Sequence, residues 1–175
     1  NTKLMVSVWG KFYRNSDNFR ELNKAGFLYP NPLKENTVDF LKYNFSYYDA
    51  FNPEARKMYW KQLNEKLYCK GVDAWWMDAS EPEMPDHEPT PENMAHFMNP
   101  TFEGRGSANL NAYPLEHTKA VFEGQMEENP DQRVTILTRS AFAGQQKYCS
   151  AVLIVSPVRQ KYKCYNPQPH VLSGY

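Results

Sequence analysis

The sequence predicts an α/β fold in which parallel strands alternate with helices. Three short, largely apolar runs, residues 3–9, 72–78 and 133–138, have the length and composition of strands. Two longer segments between them carry helix signals. The order strand, helix, strand, loop, helix, strand favours right-handed β-α-β units built on a parallel sheet.

The first strand is predicted at residues 3–9, in KLMVSVWGKFY, where β-branched and apolar residues run together until Gly10. Its carboxyl end delivers Trp9, Lys11 and Phe12. The segment that follows, to about residue 44, is polar and rich in Asn, Pro and Gly. We predict a loop there.

The first helix is predicted within FNPEARKMYWKQLNEKLYCKG. Asn52 is a candidate N-cap, Pro53 stands in the first turn, and Gly71 follows the end. A stripe of residues at helical spacing is expected to face the core: Ala55, Tyr59, Leu63 and Leu67.

The second strand, VDAWWMD at residues 72–78, is almost continuously apolar. Such a run is typical of a parallel strand that is covered on both faces. Asp78 stands at its carboxyl end. The two stretches that follow, residues 81–94 and 99–111, are predicted to form a long inserted loop, and such loops are often functional.

The second helix is predicted at about residues 112–128 and ends before Pro130. The third strand, residues 133–138, delivers Arg139 and Ser140 at its end. The residues of the second helix that are expected to be buried are Leu115, Val121, Phe122 and Met126.

Two architectures accommodate this order, a (β/α)-barrel and an open doubly wound sheet. Lys11, Asp78 and Arg139 follow three successive strands. Barrel active sites collect at the carboxyl ends of the strands, so these positions favour the barrel. A full barrel typically needs about 250 residues, whereas this chain has 175 and begins without methionine. We therefore expect part of a longer protein, with about three of the eight strands.

Composition and charge argue against several classes of partner. Lysine plus arginine and aspartate plus glutamate number 20 each, so the chain has no net charge to attract nucleic acid or an anionic membrane. No apolar run approaches the roughly 20 residues that span a bilayer. The three cysteines and four histidines lack the spacing of a zinc site. We expect no metal and no organic cofactor.

The most informative carboxylate is Asp78, which directly follows WWM and precedes Glu81 and Glu83. Two carboxylates can divide the roles of acid and nucleophile in glycoside hydrolysis. The neighbouring Trp75 and Trp76 suggest the hydrophobic faces of a sugar site. The alternative is that Asp78 caps the turn after the strand and Glu81 is a solvated loop acid.

Arg139 also has two interpretations. It could donate to substrate hydroxyls or to the carboxylate of Asp78, or it could pair with a neighbouring acid at the end of its strand. Trp9, Phe12 and Phe142 share the predicted rim with Asp78, although packing is the commoner role for such aromatic residues.

Five segments resemble the α-glycosidases of glycoside hydrolase family 31, and within that family the bacterial α-xylosidases. They are SVWGKFY, YYDAFNPEARKMYW, KGVDAWWMDASEPE, NAYPLEHTKAVFEGQ and ILTRSAFAGQQKY, in the family's order over residues 3–148. The resemblance implies part of a (β/α)8 TIM barrel, about strands 3 to 5 with an inserted loop. It also implies a retaining mechanism that passes through a covalent glycosyl-enzyme, with an oligosaccharide as substrate.

The resemblance assigns roles to seven residues. Asp78 matches the nucleophile, Glu81 an acid that supports it, and Arg139 an arginine that binds sugar hydroxyls beside it. The remaining four resemble positions that line or back the sugar pocket: Trp75, Trp76, Trp9 and Phe142.

The carboxyl-terminal part departs from the family pattern. Family members continue to Trp-Ser-Gly-Asp, whose aspartate is the acid/base, but here no acidic residue follows Asp131. We expect residues 1–148 to be a partial catalytic domain and residues 149–175 an atypical segment, translated out of frame or divergent. As written, the chain is expected to be a poor hydrolase. An α-glucosidase, and a carbohydrate-binding relative without catalysis, remain alternatives.

Overall fold

The computed structural model describes residues 2–82 and 90–152. Four parallel strands form its central sheet, in the order β1, β4, β5, β6, and an antiparallel pair, β2 and β3, stands apart. The predicted α/β class with a parallel sheet is confirmed. The strands are β1 (Met5–Val8), β2 (Lys11–Tyr13), β3 (Phe45–Tyr47), β4 (Ala74–Met77), β5 (Ile136–Thr138) and β6 (Ala151–Val152).

Six α-helices lie in the described part of the chain. They are α1 (Asp17–Lys24), α2 (Pro30–Lys34), α3 (Pro53–Lys66), α4 (Pro91–Phe97), α5 (Gly106–Asn109) and α6 (Tyr113–Glu128). The long helix α3 begins as predicted, because the Asn52 side chain accepts hydrogen bonds from the backbone N–H groups of Glu54 and Ala55. After a short 3-10 turn, Gly71 ends the segment with a φ of +95°, in the left-handed region that favours glycine.

The strand register divides the sheet into two faces. Val8 pairs with Met77 and Met77 with Thr138, and side chains alternate between faces along each strand. The helix face carries buried side chains: Val8, Trp75, Met77, Ile136 and Thr138. The open face carries side chains that stay partly or largely accessible: Met5, Ser7, Ala74, Trp76 and Leu137.

Both long helices pack on the helix face. The rings of Trp60 on α3 and Trp75 on β4 meet edge to face, 5.9 Å apart. The Trp75 indole N–H donates to the side-chain oxygen of Gln125 on α6 at 2.8 Å. The two helices can approach closely because residue 124 is a glycine. A Cβ at that position would lie 2.2 Å from the Trp60 ring. Both helices lie on the same side of the sheet, and the strands stand side by side in the order in which the chain forms them. This arrangement is typical of a barrel, whereas a doubly wound sheet has helices on both faces.

An aromatic cluster fills the space behind the end of β1. Tyr48 stacks on Tyr59 with ring centroids 4.6 Å apart, and the Tyr59 hydroxyl donates to the Trp9 carbonyl. A Cβ on Gly10 would lie only 2.6 Å from the Tyr113 hydroxyl. The chain can therefore pass between the sheet and this cluster only with glycine at that position.

Two segments that the sequence predicts as loops contain regular structure. Residues 10–44 include β2, α1 and α2, and the predicted loop stretches 81–94 and 99–111 include the start of α4 and all of α5, with residues 83–89 outside the described part. Those predictions were wrong, because short helices with only one or two buried side chains have a weak apolar pattern. In α1, for example, Ser16 caps the amino end and only Phe19 and Leu22 are buried.

The second helix and the strands also differ from prediction in detail. Of the four residues expected to be buried in α6, only Val121 is fully so, and the main buried positions are instead Tyr113, His117, Thr118, Gly124 and Gln125. The β4 strand is covered on one face and not on both. The short strand β6, which pairs with β5, was not predicted.

His117 makes the stability of this fold depend on pH. Its imidazole is buried inside the tyrosine cluster, where its Nδ1 lies 2.8 Å from the Tyr48 hydroxyl. Burial lowers its pKa to about 3, whereas an unfolded histidine has a pKa of about 6.5. As the pH falls below about 6.5, His117 becomes protonated in the unfolded chain but stays neutral in the folded chain. The free energy of unfolding should then fall by up to about 1.4 kcal/mol for each pH unit.

The measurement is urea denaturation of the chain at pH 7 and pH 5, with a His117→Gln variant beside it. We expect the variant to be less stable at pH 7 but to lose less on acidification. His96→Gln is the control, because His96 is an exposed histidine paired with Glu35. If the His117→Gln variant lost as much stability as the unmodified chain, His117 would not be the group responsible.

Candidate active site

The candidate site begins where β4 ends, at Asp78. The backbone N–H of Asp78 donates to the carbonyl of Val8 on β1 at 3.1 Å. The next residue, Ala79, is fully buried and has a φ of +52°. A non-glycine residue in the left-handed region costs on the order of 1–3 kcal/mol, and such residues cluster at functional sites. The strained turn directs the following residues back toward β5.

Ser80 joins this turn to the end of β5. Its hydroxyl lies 2.8 Å from the Thr138 hydroxyl and accepts a hydrogen bond from the Ser140 backbone N–H at 3.1 Å. All three residues are buried. The segments that follow β4 and β5 are therefore fixed to each other before any ion pair forms between them.

Arg139 binds two carboxylates from the β4 turn. Its Nη2 lies 2.7 Å from Oε1 of Glu81, and its Nε donates to Oε2 of the same residue at 3.1 Å. Its Nη1 lies 3.1 Å from Oδ1 of Asp78. The Arg139 side chain is only 4% exposed. Two-point binding of this kind uses the rigid fork of the guanidinium. Glu81 is therefore not a solvated loop acid, and Arg139 does pair with neighbouring acids.

Two buried polar atoms near this ion pair accept or donate no hydrogen bond within the described residues. They are Oδ1 of Asp78, which lies within ion-pair distance of Arg139 but is not aligned for a hydrogen bond, and the indole N–H of Trp76. Both residues belong to the open face, two positions apart on one strand end. Unpaired buried polar atoms are costly, and an arrangement kept at such a cost calls for a functional explanation.

Trp75 does not reach this site. The sequence places it with Trp76 beside Asp78, but consecutive residues of a strand point to opposite faces. Trp75 is fully buried on the helix face, against Trp60 and Gln125. The expectation that Trp75 lines or backs a sugar pocket is corrected to a packing role, whereas Trp76 lies on the open face.

The other aromatic residues of the predicted rim also lie in different places, and only some of them are accessible. Trp9 follows β1 on the open face and is half-buried. Phe12 is a core residue, packed edge to face against Tyr48 and Tyr59. Phe142 is half-buried in the loop after β5, where its carbonyl accepts a hydrogen bond from Gln145. Glu83 lies outside the described residues.

Sequence reasoning missed one charged group near the site, Asp39. Lys11 and Asp39 form an ion pair of 3.0 Å, with side chains 4% and 3% exposed. Burial alone would raise the pKa of Asp39, but hydrogen bonds from Tyr13 and Lys11 outweigh it and hold the pKa below its ordinary value. Asp39 carried no signal, because an acid in a polar stretch looks like a solvated loop residue.

The described residues hold no group of three or more histidine, cysteine or acidic side chains placed to bind a metal ion. Among their helices, none is both long and apolar enough to cross a membrane.

The sequence profile of the "Glycosyl hydrolases family 31 TIM-barrel domain" matches residues 1–152. The chain belongs to glycosyl hydrolase family 31. The strands and helices described above are accordingly part of a TIM barrel, and the candidate site lies at the carboxyl ends of its strands. The resemblance found in the sequence is confirmed.

Similar proteins of this family include two α-xylosidases. The α-xylosidase of Saccharolobus solfataricus is 36% identical over 151 residues, which cover 83% of this chain and 18% of that protein. The crystal structure of an α-xylosidase from Xanthomonas citri has 39% identity and a TM-score of 0.79, covering 86% of this chain and 16% of that one. A glucosidase of the same family from Pseudescherichia vulneris, described as uncharacterized, is 27% identical over 83% of this chain and 26% of its own length.

A further solved structure, a family 31 α-xylosidase from a soil metagenome complexed with xylose, is 29% identical with a TM-score of 0.70. The match covers 21% of that chain and 85% of this one. The chain thus spans about a fifth of the length of these relatives, which agrees with the expectation of a partial barrel.

Removing the Arg139 guanidinium should destabilise the chain strongly, because it would leave two largely buried carboxylates without their partner. Breaking such a pair costs about 3–5 kcal/mol. We expect the Arg139→Met variant to lose at least about 3 kcal/mol of unfolding free energy, measured by urea denaturation. The Arg139→Lys variant should have an unfolding free energy between those of the unmodified chain and the Arg139→Met variant, because an ammonium keeps the charge but cannot form the two-point contact.

Arg133→Met is the matched control, since Arg133 is an exposed arginine six positions earlier in the chain. The Arg133→Met variant should lose no more than about 0.5 kcal/mol of unfolding free energy. Equal stability of the Arg139→Met and Arg133→Met variants would contradict the structural role given to the ion pair.

Proposed function

We propose that this chain is part of a retaining α-glycoside hydrolase in which Asp78 is the nucleophile. The observation that carries the proposal is the arrangement around Asp78. Its carboxylate stands on the open face, directly before a strained turn, and is held by Arg139 without an aligned hydrogen bond to Oδ1. A carboxylate that only capped a turn would have its oxygens bonded to backbone N–H groups.

The chemistry follows from that position. An oxygen of Asp78 attacks the anomeric carbon of the bound sugar, the bond to the leaving oxygen breaks, and an ester to the enzyme forms. Water then cleaves the ester and restores the carboxylate. Arg139 and Glu81 hold the nucleophile in place, and Glu81 acts through Arg139, so it is a positioning residue in this scheme.

The first step also needs an acid to protonate the leaving oxygen. No aspartate or glutamate occurs after Asp131, and most of the atypical segment 149–175 lies outside the described residues. We therefore expect the first step to be fast only with substrates whose leaving group needs no proton. The boundary between the partial catalytic domain at residue 148 and that segment remains a prediction.

The substrate we propose is an α-xyloside at the non-reducing end of a xyloglucan-type oligosaccharide. The support is the similarity to three α-xylosidases, at 39%, 36% and 29% identity. The alternative substrate is an α-glucoside, which the similarity to a family 31 glucosidase supports at lower identity. Turnover of matched xyloside and glucoside substrates distinguishes them, and a preference for the glucoside would overturn the xylosidase assignment.

The second candidate function is carbohydrate binding without catalysis, which the absence of an acidic residue from positions 132–175 favours. It predicts that xylose binds to the complete protein but that an α-xylosyl fluoride is not cleaved. Cleavage of the fluoride would exclude it, because fluoride leaves without protonation while a nucleophile is still required.

Replacing Asp78 should abolish the reaction of α-xylosyl fluoride in the complete protein that carries this chain. We expect the Asp78→Ala variant to lose at least about 10³-fold in kcat/KM, as for other covalent nucleophiles. Added azide should restore the reaction, because it fits the space left by the carboxylate and attacks the same carbon while fluoride leaves. The product should be the β-xylosyl azide.

Asp131→Ala is the control, since Asp131 is an exposed acid far along the chain from the site. It should react at the unmodified rate, and any azide product that it forms should have the α configuration, because Asp78 still inverts the carbon before azide attacks. An Asp78→Ala variant that kept its activity, or whose azide product had the α configuration, would show that Asp78 is not the nucleophile.

A further inference from the structure

A small network of buried hydroxyl groups lies where β4 and β5 end, on the helix face of the sheet. Val8, Met77 and Thr138 form one row across three strands, and Thr138 is the polar member of that row. It has no exposed surface. A hydroxyl buried among apolar side chains costs free energy unless it is hydrogen-bonded, and valine would have nearly the same shape without that cost. Packing alone therefore does not account for the hydroxyl.

The hydrogen bonds of this network run in one direction. Ser80 Oγ accepts from the backbone N–H of Ser140 at 3.1 Å. Within the described residues its own proton has one acceptor, Thr138 Oγ1 at 2.8 Å, so Ser80 donates to Thr138. The Thr138 proton is then directed to backbone carbonyls, those of Ser140 at 3.3 Å and Met77 at 3.4 Å. In the reverse direction the buried Ser80 proton would have no acceptor, which is costly.

The network holds the backbone on both sides of the ion pair at the candidate site. Ser140 follows Arg139 and is bound through its N–H and its carbonyl. Met77 precedes Asp78, and its carbonyl accepts from the Thr138 hydroxyl and, at 3.3 Å, from the Arg139 N–H. The hydroxyl groups therefore set the backbone positions from which Arg139 and Asp78 meet across 3.1 Å.

The network is complete within this chain. Ser80 and Thr138 have no exposed surface, so neither a bound sugar nor another part of a longer polypeptide can contact their hydroxyl groups. Any effect of these hydroxyl groups on a reaction must therefore pass through the residues that they hold.

We propose that Thr138 is a positioning residue for the nucleophile, which acts through Ser80, Met77 and Ser140 to align Asp78 with Arg139. This inference rests on the proposed function, in which an oxygen of Asp78 attacks the sugar. A misplacement of about 1 Å at a reacting group can slow a reaction by roughly 100-fold. The Thr138 hydroxyl contacts neither the sugar nor the reacting atoms, so its contribution is to the alignment of the carboxylate.

The test measures how fast a fluorinated α-xylosyl fluoride, whose ester hydrolyses slowly, labels the complete protein at increasing concentrations of the reagent. Thr138→Val removes the hydroxyl and keeps the branched shape, whereas Thr138→Ser keeps the hydroxyl and removes a methyl group. We expect Thr138→Val to lower the maximal labelling rate at least about tenfold. The half-saturating concentration should change less than about twofold, because the hydroxyl does not contact the sugar. Thr138→Ser should restore most of the rate.

Thr118→Val is the matched control, because Thr118 is also fully buried and its hydroxyl donates to the backbone carbonyls of Pro114 and Leu115 in α6. It should label at the unmodified rate. Ser80→Ala is a second variant, which tests the proposal even if Thr138→Val does not fold, and it should also slow labelling. The double variant Ser80→Ala/Thr138→Val should be no slower than the slower single variant, because both changes break one network.

The outcomes separate the two proposals. If the unmodified complete protein is not labelled, the proposed function fails and the positioning role with it. If Asp78 is labelled and the Thr138→Val and Ser80→Ala variants reach the unmodified maximal rate, the positioning role is wrong and the proposed function stands. If Thr138→Ser or Thr118→Val slows labelling as much as Thr138→Val, methyl packing or a general loss of stability is the cause, and the positioning role is likewise wrong.

Discussion

The register of three parallel strands decides where every residue of the candidate site points. Val8, Met77 and Thr138 lie side by side on the helix face, so the residues one step later, Trp9, Asp78 and Arg139, share the open face. A slip of β4 by one residue would turn Asp78 toward the helices and bring Trp75 to the opening. The packing of Trp75 between α3 and α6 therefore also secures the position of the carboxylate.

Ion pairs and hydrogen bonds then hold together the strand ends that the register places side by side. Arg139 joins the end of β5 to both acids of the β4 turn, and Ser80 and Thr138 connect the same two strand ends with neutral hydrogen bonds. The strained Ala79 conformation persists within this frame. The Lys11 ammonium lies 4.5 Å from the ring centre of Trp9, and its ion-pair partner Asp39 closes the turn between α2 and β3. Two buried ion pairs thus each fix a loop.

The sequence was informative where a residue type has one dominant use. Asn52 and Pro53 predicted the start of α3, and strand-end positions predicted that Asp78 and Arg139 would lie together. It was not informative about faces within a continuous apolar run, so Trp75 and Trp76 were placed together although they point apart. Polar segments were hardest: α1, the β2–β3 pair and Asp39 depend on tertiary contacts that composition does not reveal.

The most direct test of this account is to trap the covalent intermediate. A fluorinated α-xylosyl fluoride whose ester hydrolyses slowly should label the complete protein, because fluoride leaves without needing a proton. Digestion and mass spectrometry would then locate the added mass. The account predicts one label per protein, on Asp78. A label on Glu81 or on another carboxylate, formed under the same conditions, would contradict it.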